Sequence, residues 1–171
     1  MNGRGRQLAL LPILLTRCVW ASSPEELDPL DGVWRLAAVT YVMADGTEDR
    51  LTPQESLFLF KGGYYNMGFA VGEVRSPPYV ERFTPTDEER AARMGALTVN
   101  AGTYEIVGSS VLLHPRFALV PEFVGGLGEI DFEVSGDSLQ LRWRRSVSVN
   151  EVESPWTVAG HVEELTLVRI R

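Results

Sequence analysis

The sequence predicts an all-β fold: an eight-stranded antiparallel up-and-down β-barrel with one short helix between the third and fourth strands. Three observations point there. Apolar residues recur with a period of two through eight separate runs, short glycine-bearing turns join several of them, and a single segment carries helical spacing.

The first run, residues 32–43, opens on Gly32-Val33-Trp34 and closes on the turn signal Ala44-Asp45-Gly46-Thr47. Runs 55–61 and 63–71 flank Gly62, which marks a hairpin. Thr86 then stands as an N-cap before Asp87, Glu88 and Glu89, and Ala91, Ala92, Met94 and Leu97 follow at helical spacing, so a helix of about three turns is expected there. Runs 102–107 and 110–117 meet at Gly108-Ser109, runs 127–135 and 138–148 meet at Ser135-Gly136-Asp137, and the last run spans 161–170. Two longer connections, 72–85 with Pro77-Pro78 and 150–160 with Pro155-Trp156, have the length of lids or rims.

Eight antiparallel strands in sequence order close into a barrel without exposed edges, whose interior is either packed or holds one small ligand. Strict alternation groups Trp34, Leu36, Ala38 and Thr40 on one face, and likewise Val111, Leu113 and Phe117, then Leu139, Leu141, Trp143 and Arg145. Glu129, Asp131 and Glu133 mark an outer face.

Residues 1–21 read as a cleavable signal peptide and 22–171 as the single barrel domain. Arg4 and Arg6 precede an apolar stretch from Leu8 to Leu15, and Val19-Trp20-Ala21 forms a small-residue cleavage pattern before Ser22. The apolar stretch is shorter than the roughly 20 residues a spanning helix needs, so no spanning membrane segment is expected in the mature protein. A secreted or periplasmic location follows. Cys18, the lone cysteine, lies in this leader, where Arg17 occupies the position lipoprotein processing reserves for a small residue.

Without the leader, 16 basic residues fall to 13 while all 23 acids remain, a formal charge of −10. That balance excludes a phosphate-binding surface, so nucleic acid is not an expected partner. One cysteine and two histidines, His114 and His161, give no basis for a metal site. Nucleophile-elbow, phosphate-loop and His-Glu-x-x-His patterns are absent from the sequence, so no catalytic residue is assigned and no cofactor is expected.

Seven motifs in order carry a resemblance. They are Gly32-Val33-Trp34-Arg35-Leu36, Asp45-Gly46, Gly63-Tyr64-Tyr65-Asn66-Met67, Arg75 with the acidic helix from Asp87 to Met94, Ala101-Gly102-Thr103-Tyr104-Glu105, Val111-Leu112-Leu113-His114, and Gly136-Asp137-Ser138-Leu139-Gln140-Leu141 with Leu165 to Arg169. Together they resemble the bacterial and fungal lipocalin-like (calycin-like) domain family, whose members are largely without assigned function. Two features depart from its pattern: no arginine follows Pro121-Glu122-Phe123-Val124-Gly125, and Val168 rather than tryptophan precedes Arg169. The resemblance implies that Trp34 plugs one barrel end as a structural floor, with Arg169 stacked on it.

Chemistry is then expected at the other end, where Tyr65, Arg75, Tyr104 and Trp156 are candidates; His114 and Trp143 complete the candidate ligand-binding residues. Tyrosine offers an apolar body with a polar tip, arginine a bidentate fork for an acidic group, and histidine a base near neutrality. Each has a plainer alternative: rim or core aromatics for the rings, a salt bridge to Glu88 or Glu89 for Arg75, an ordinary strand residue for His114. The expected function is an exported protein that binds a small hydrophobic or amphipathic molecule in its barrel. The alternatives are a cavity enzyme of isomerase, cyclase or hydratase type in secondary metabolism, and a packed structural or interaction barrel.

Overall fold

The computed structural model describes residues 28–53, 55–71 and 78–171; the segment 1–21 expected to be a signal peptide, with Cys18, lies outside them. The strands are β1 (Gly32–Val42), β2 (Glu48–Leu51), β3 (Glu55–Lys61), β4 (Tyr64–Ala70), β5 (Leu97–Val107), β6 (Ser110–Ala118), β7 (Leu127–Ser135), β8 (Ser138–Val147) and β9 (Val162–Arg169). Two α-helices, α1 (Asp87–Ala96) and the one-turn α2 (Pro155–Val158), and a 3-10 turn at Pro121–Phe123 interrupt them. All described pairings are antiparallel between neighbours, and β1 pairs with β9 along Trp34–Val42, which closes the sheet into a barrel.

The barrel has eight strand positions although nine strands are present. β3 pairs with Gly32–Trp34 and β2 with Val39–Val42, so the two lie end to end along one edge of β1. Pro53, which has no N–H to give, stands between them. Ser56 bridges the break, its Oγ accepting from the Leu36 N–H at 2.9 Å. β2 was not expected from the sequence, and counting it places α1 between β4 and β5.

α1 starts as its sequence dictates. The Thr86 hydroxyl accepts from Glu89 N–H at 3.2 Å, and the Glu89 carboxylate accepts from Thr86 N–H at 2.8 Å, a reciprocal capping box. Leu97, expected in the helix, is already extended (φ −103°, ψ 138°) and opens β5, which begins five residues before the expected strand because Leu97–Ala101 pairs with Ala70–Asn66.

Three register shifts correct the expected faces. One extra residue in a strand flips every later side chain to the other side. Ala37 is such a residue, so the inward set of β1 runs Trp34, Leu36, Val39, Tyr41 rather than on through Ala38 and Thr40. Arg116 does the same in β6, turning Phe117 outward, where it is 63% exposed. Arg144 does it in β8: Arg145 faces solvent and pairs with Glu153 at 2.6 Å, while Arg144 pairs with Asp131 at 3.1 Å.

The core concentrates at one end. Trp34 is fully buried; its Nε1–H donates to the Leu30 carbonyl at 2.9 Å, and the Arg169 guanidinium lies 4.0 Å above its ring centroid. Arg169 Nη1 in turn donates to the Asp31 carbonyl at 2.6 Å. Gly32 permits this approach: its φ is +149°, and a Cβ there would sit 2.3 Å from Arg169 Nη1. Phe60 and Tyr104 meet edge to face at 5.4 Å beside this pair. The Tyr104 hydroxyl donates to the Asp28 carboxylate, and Lys61 donates to Asp31, which holds the Asp31 carboxyl below its ordinary pKa.

Gly102 faces inward where β5 and β6 converge on the Arg116 bulge, and a Cβ would lie 2.1 Å from the His114 carbonyl oxygen. Gly102→Ala is therefore expected to lower stability by about 2 kcal/mol, the scale of overpacking in a filled interior. A urea denaturation midpoint equal to that of the unaltered protein would show that β5 and β6 can separate freely there.

Candidate functional site

The two barrel ends are built from different connections. Tight turns at 62–63, 108–109 and 136–137 lie at the Trp34 end, and the long connections 71–97, 119–126 and 148–161 lie at the other. Beside the connections 119–126 and 148–161 opens a cavity of about 490 Å³. Met67, Phe69 and Leu165 form its apolar wall, Leu119 and Phe123 reach in from the β6–β7 connection, and Trp156 stands at the mouth.

Trp156 is held there by local chemistry. Ser154 caps α2, its Oγ accepting from Thr157 N–H at 3.1 Å, and the Thr157 hydroxyl accepts from Ser146 N–H at 3.0 Å. These bonds tie the loop to the end of β8. The Trp156 ring, 39% exposed, meets Tyr41 edge-on at 5.5 Å and leans on His161 at 4.6 Å. His161 Nδ1 accepts from the Ala44 N–H at 3.3 Å, so the rim connections hold one another.

Trp143 owes its partner to the Arg144 bulge, which puts residues 143 and 146 on the same side: its Nε1–H donates to Ser146 Oγ at 2.6 Å. On the neighbouring strand stands Glu163, in register with Trp143 on one side and Tyr41 on the other. Among the described residues lining the cavity it is the only one with a formal charge. Burial pushes its carboxyl from an ordinary 4.5 up to about 7, and among the described residues no hydrogen bond or ion pair offsets that. Tyr41 is pushed up to about 12, first by burial and then by the charges of Glu163 and Asp49.

The six candidate residues scatter. Trp143 and Trp156 line the cavity. Tyr65 lies beneath it, its hydroxyl donating at 2.6 Å to Oδ1 of Asn100, a cavity-wall residue; burial lifts the phenol well above its ordinary pKa and keeps it a donor. Tyr104 belongs to the opposite end from the one expected, because its N–H pairs with the Gly63 carbonyl of a closed-end turn and its hydroxyl with Asp28. His114 is outside the barrel: it sits across from Thr103 on the outer face and meets Glu105 at 3.3 Å in solvent. Arg75 lies outside the described residues.

Glu163, Tyr41, Asn100 and Ser146 were missed by sequence reasoning. For Glu163 the signal was present, since the alternation that turns Arg169, Leu167 and Leu165 inward continues to residue 163. Tyr41 had no such signal, because the Ala37 bulge reverses its face.

No helix among the described residues is long and apolar enough to cross a membrane. No protein-family model matches the chain, and no curated protein does. A solved structure of a lipocalin-like protein from Bacteroides uniformis is similar over 84% of this chain and 100% of that one, with 16% identity and a TM-score of 0.43.

Glu163 makes a stability prediction with a definite sign. Its carboxyl holds a proton more tightly folded than unfolded, so stability is full below about pH 4.5, falls as pH rises toward about 7, and stays lower above. Glu163→Gln removes this loss. Its stability advantage over the unaltered protein should therefore grow between pH 4.5 and 8 by up to about 3 kcal/mol. Urea denaturation of both proteins across that range measures it, and a pH-independent difference would mean the carboxyl titrates as in water.

Proposed function

We propose that this protein is an exported carrier that holds a small hydrophobic or amphipathic molecule at the open end of its barrel. The cavity carries the reading: about 490 Å³ falls within the roughly 300–1,000 Å³ typical of ligand pockets, and its wall is mostly apolar with a few convergent polar groups. A void of that size speaks against the packed structural barrel. The lipocalin-like motifs of the sequence fit the same reading, since they bring the closed floor of Trp34 and Arg169 together with an open far end.

Native mass spectrometry of the purified protein is expected to show a co-purifying lipophile, and titration with dodecanol is expected to change tryptophan fluorescence through Trp143 and Trp156. Trp156→Ala should weaken dodecanol roughly tenfold by removing an aromatic wall at the mouth. Absence of both a bound lipophile and a dodecanol response would end the carrier reading.

A second reading, a cavity enzyme of isomerase, cyclase or hydratase type, has one observation in its favour. A carboxyl near neutrality inside a cavity is suited to taking and returning a proton. His114, the histidine offered as a base, pairs with Glu105 on the outer face and lends this reading no support.

Export follows from the leader pattern at 1–21. Expressed in a secreting host, the full chain should leave the cytoplasm with Ser22 as its first residue, read by intact-mass measurement. Retention in the cytoplasm at full length would oppose it.

A further inference from the structure

We propose that the cavity selects a lipophilic amine, with the ammonium group paired to Glu163 against the aromatic rings of Tyr41, Trp143 and Trp156. This rests on the carrier reading and adds the chemical class of the occupant.

The lining shows which charge is missing. Glu163 projects among Trp143, Tyr41 and Leu165, and neither arginine, lysine nor histidine is among the described residues lining the cavity. A half-buried carboxyl facing the cavity, with no donor on it among the described residues, leaves room for a counter-charge from outside the chain. A fatty acid would bring a second negative group to the same place and is repelled. A neutral alcohol can bond the carboxyl but supplies no charge. An ammonium supplies both charge and donors, and a carboxylate receives charge-assisted hydrogen bonds as about the strongest of their kind.

The rings add a second preference of the same sign. Aromatic faces attract cations, and three aromatic side chains line the half of the cavity that holds Glu163. Trp143 has its N–H spent on Ser146, and Tyr41 stays a neutral phenol with its pKa near 12. The groups around Glu163 leave it free to do this. From β1 it faces Tyr41, with Asp49 of β2 beyond; from β8 it faces Trp143; across the cavity β4 and β5 present Met67, Phe69 and Asn100. His161 lies behind Trp156, and Arg142 is turned outward to Glu164 at 3.3 Å.

Dodecylamine, dodecanol and dodecanoate differ only in the head group, and their titration by calorimetry at pH 8, each below its critical micelle concentration, separates the possibilities. Expected are an amine bound at least about tenfold tighter than the alcohol and a carboxylate at least about tenfold weaker. In Glu163→Gln the amine should fall to within about threefold of the alcohol, whose affinity stays unchanged. Should that variant not fold, the unaltered protein gives the same answer: amine affinity should drop as pH falls below about 7 while alcohol affinity does not. Equal binding of the three head groups, or an amine preference that survives Glu163→Gln, overturns amine selection and leaves the carrier reading in place. Binding of none removes the ligand site and the selectivity with it.

Discussion

Hydrogen bonding between β1 and β9 is the constraint on which the rest of this structure depends. A nine-stranded open sheet would present two unpaired edges and no interior. Closure removes both and makes the inside a finite volume that eight strand positions must fill or leave for a ligand. It also places Arg169 directly across from Trp34, at the one register position where the guanidinium can lie on the indole. Gly32, Leu30 and Asp31 matter because they serve that pairing: the first clears space, the others accept the hydrogen bonds of the indole and the guanidinium.

The floor and the mouth differ because the chain spends its large residues unevenly. Phe58, Phe60, Tyr65 and Tyr104 crowd the half above Trp34, and tight turns leave no room beyond it. Toward the mouth the bulges at Arg116 and Arg144 change which residues face inward, bringing in Ser146 and turning Phe117 out. The connections 119–126 and 148–161 then border that half without filling it. A cavity at this end is thus the product of register shifts as much as of side-chain size.

Those shifts mark where sequence reasoning reached and where it stopped. Strands were legible because Val111 and Leu113, or Leu139 and Leu141, alternate cleanly between glycine turns, and Thr86 with Glu89 spells out the start of α1. β2 was not, since Glu48–Leu51 is polar and owes its strand state to the partner edge of β1. A bulge leaves no local signature: Ala37 is extra only because Leu36 and Ala38 meet adjacent residues of β9, a property of two distant segments together. Faces assigned beyond each bulge were accordingly inverted. Tyr104 failed for another reason, since alternation says that it points inward but not toward which end of the barrel.

Polar groups in the two halves are treated in opposite ways. In the closed half each buried polar tip has a partner within the chain: the Trp34 indole has Leu30, the Arg169 guanidinium has Asp31, the Tyr104 hydroxyl has Asp28. Such satisfaction is what stability alone asks of an interior. In the open half Tyr65 and Trp143 are likewise matched, to Asn100 and Ser146, yet the half-buried Glu163 has no such partner among the described residues, and it carries the raised carboxyl pKa that follows. Glutamine would fill the same space without the burial penalty, and leucine would continue the alternation of Leu165 and Leu167. Stability alone gives no reason for an acid at that position, and the proposed ligand site does.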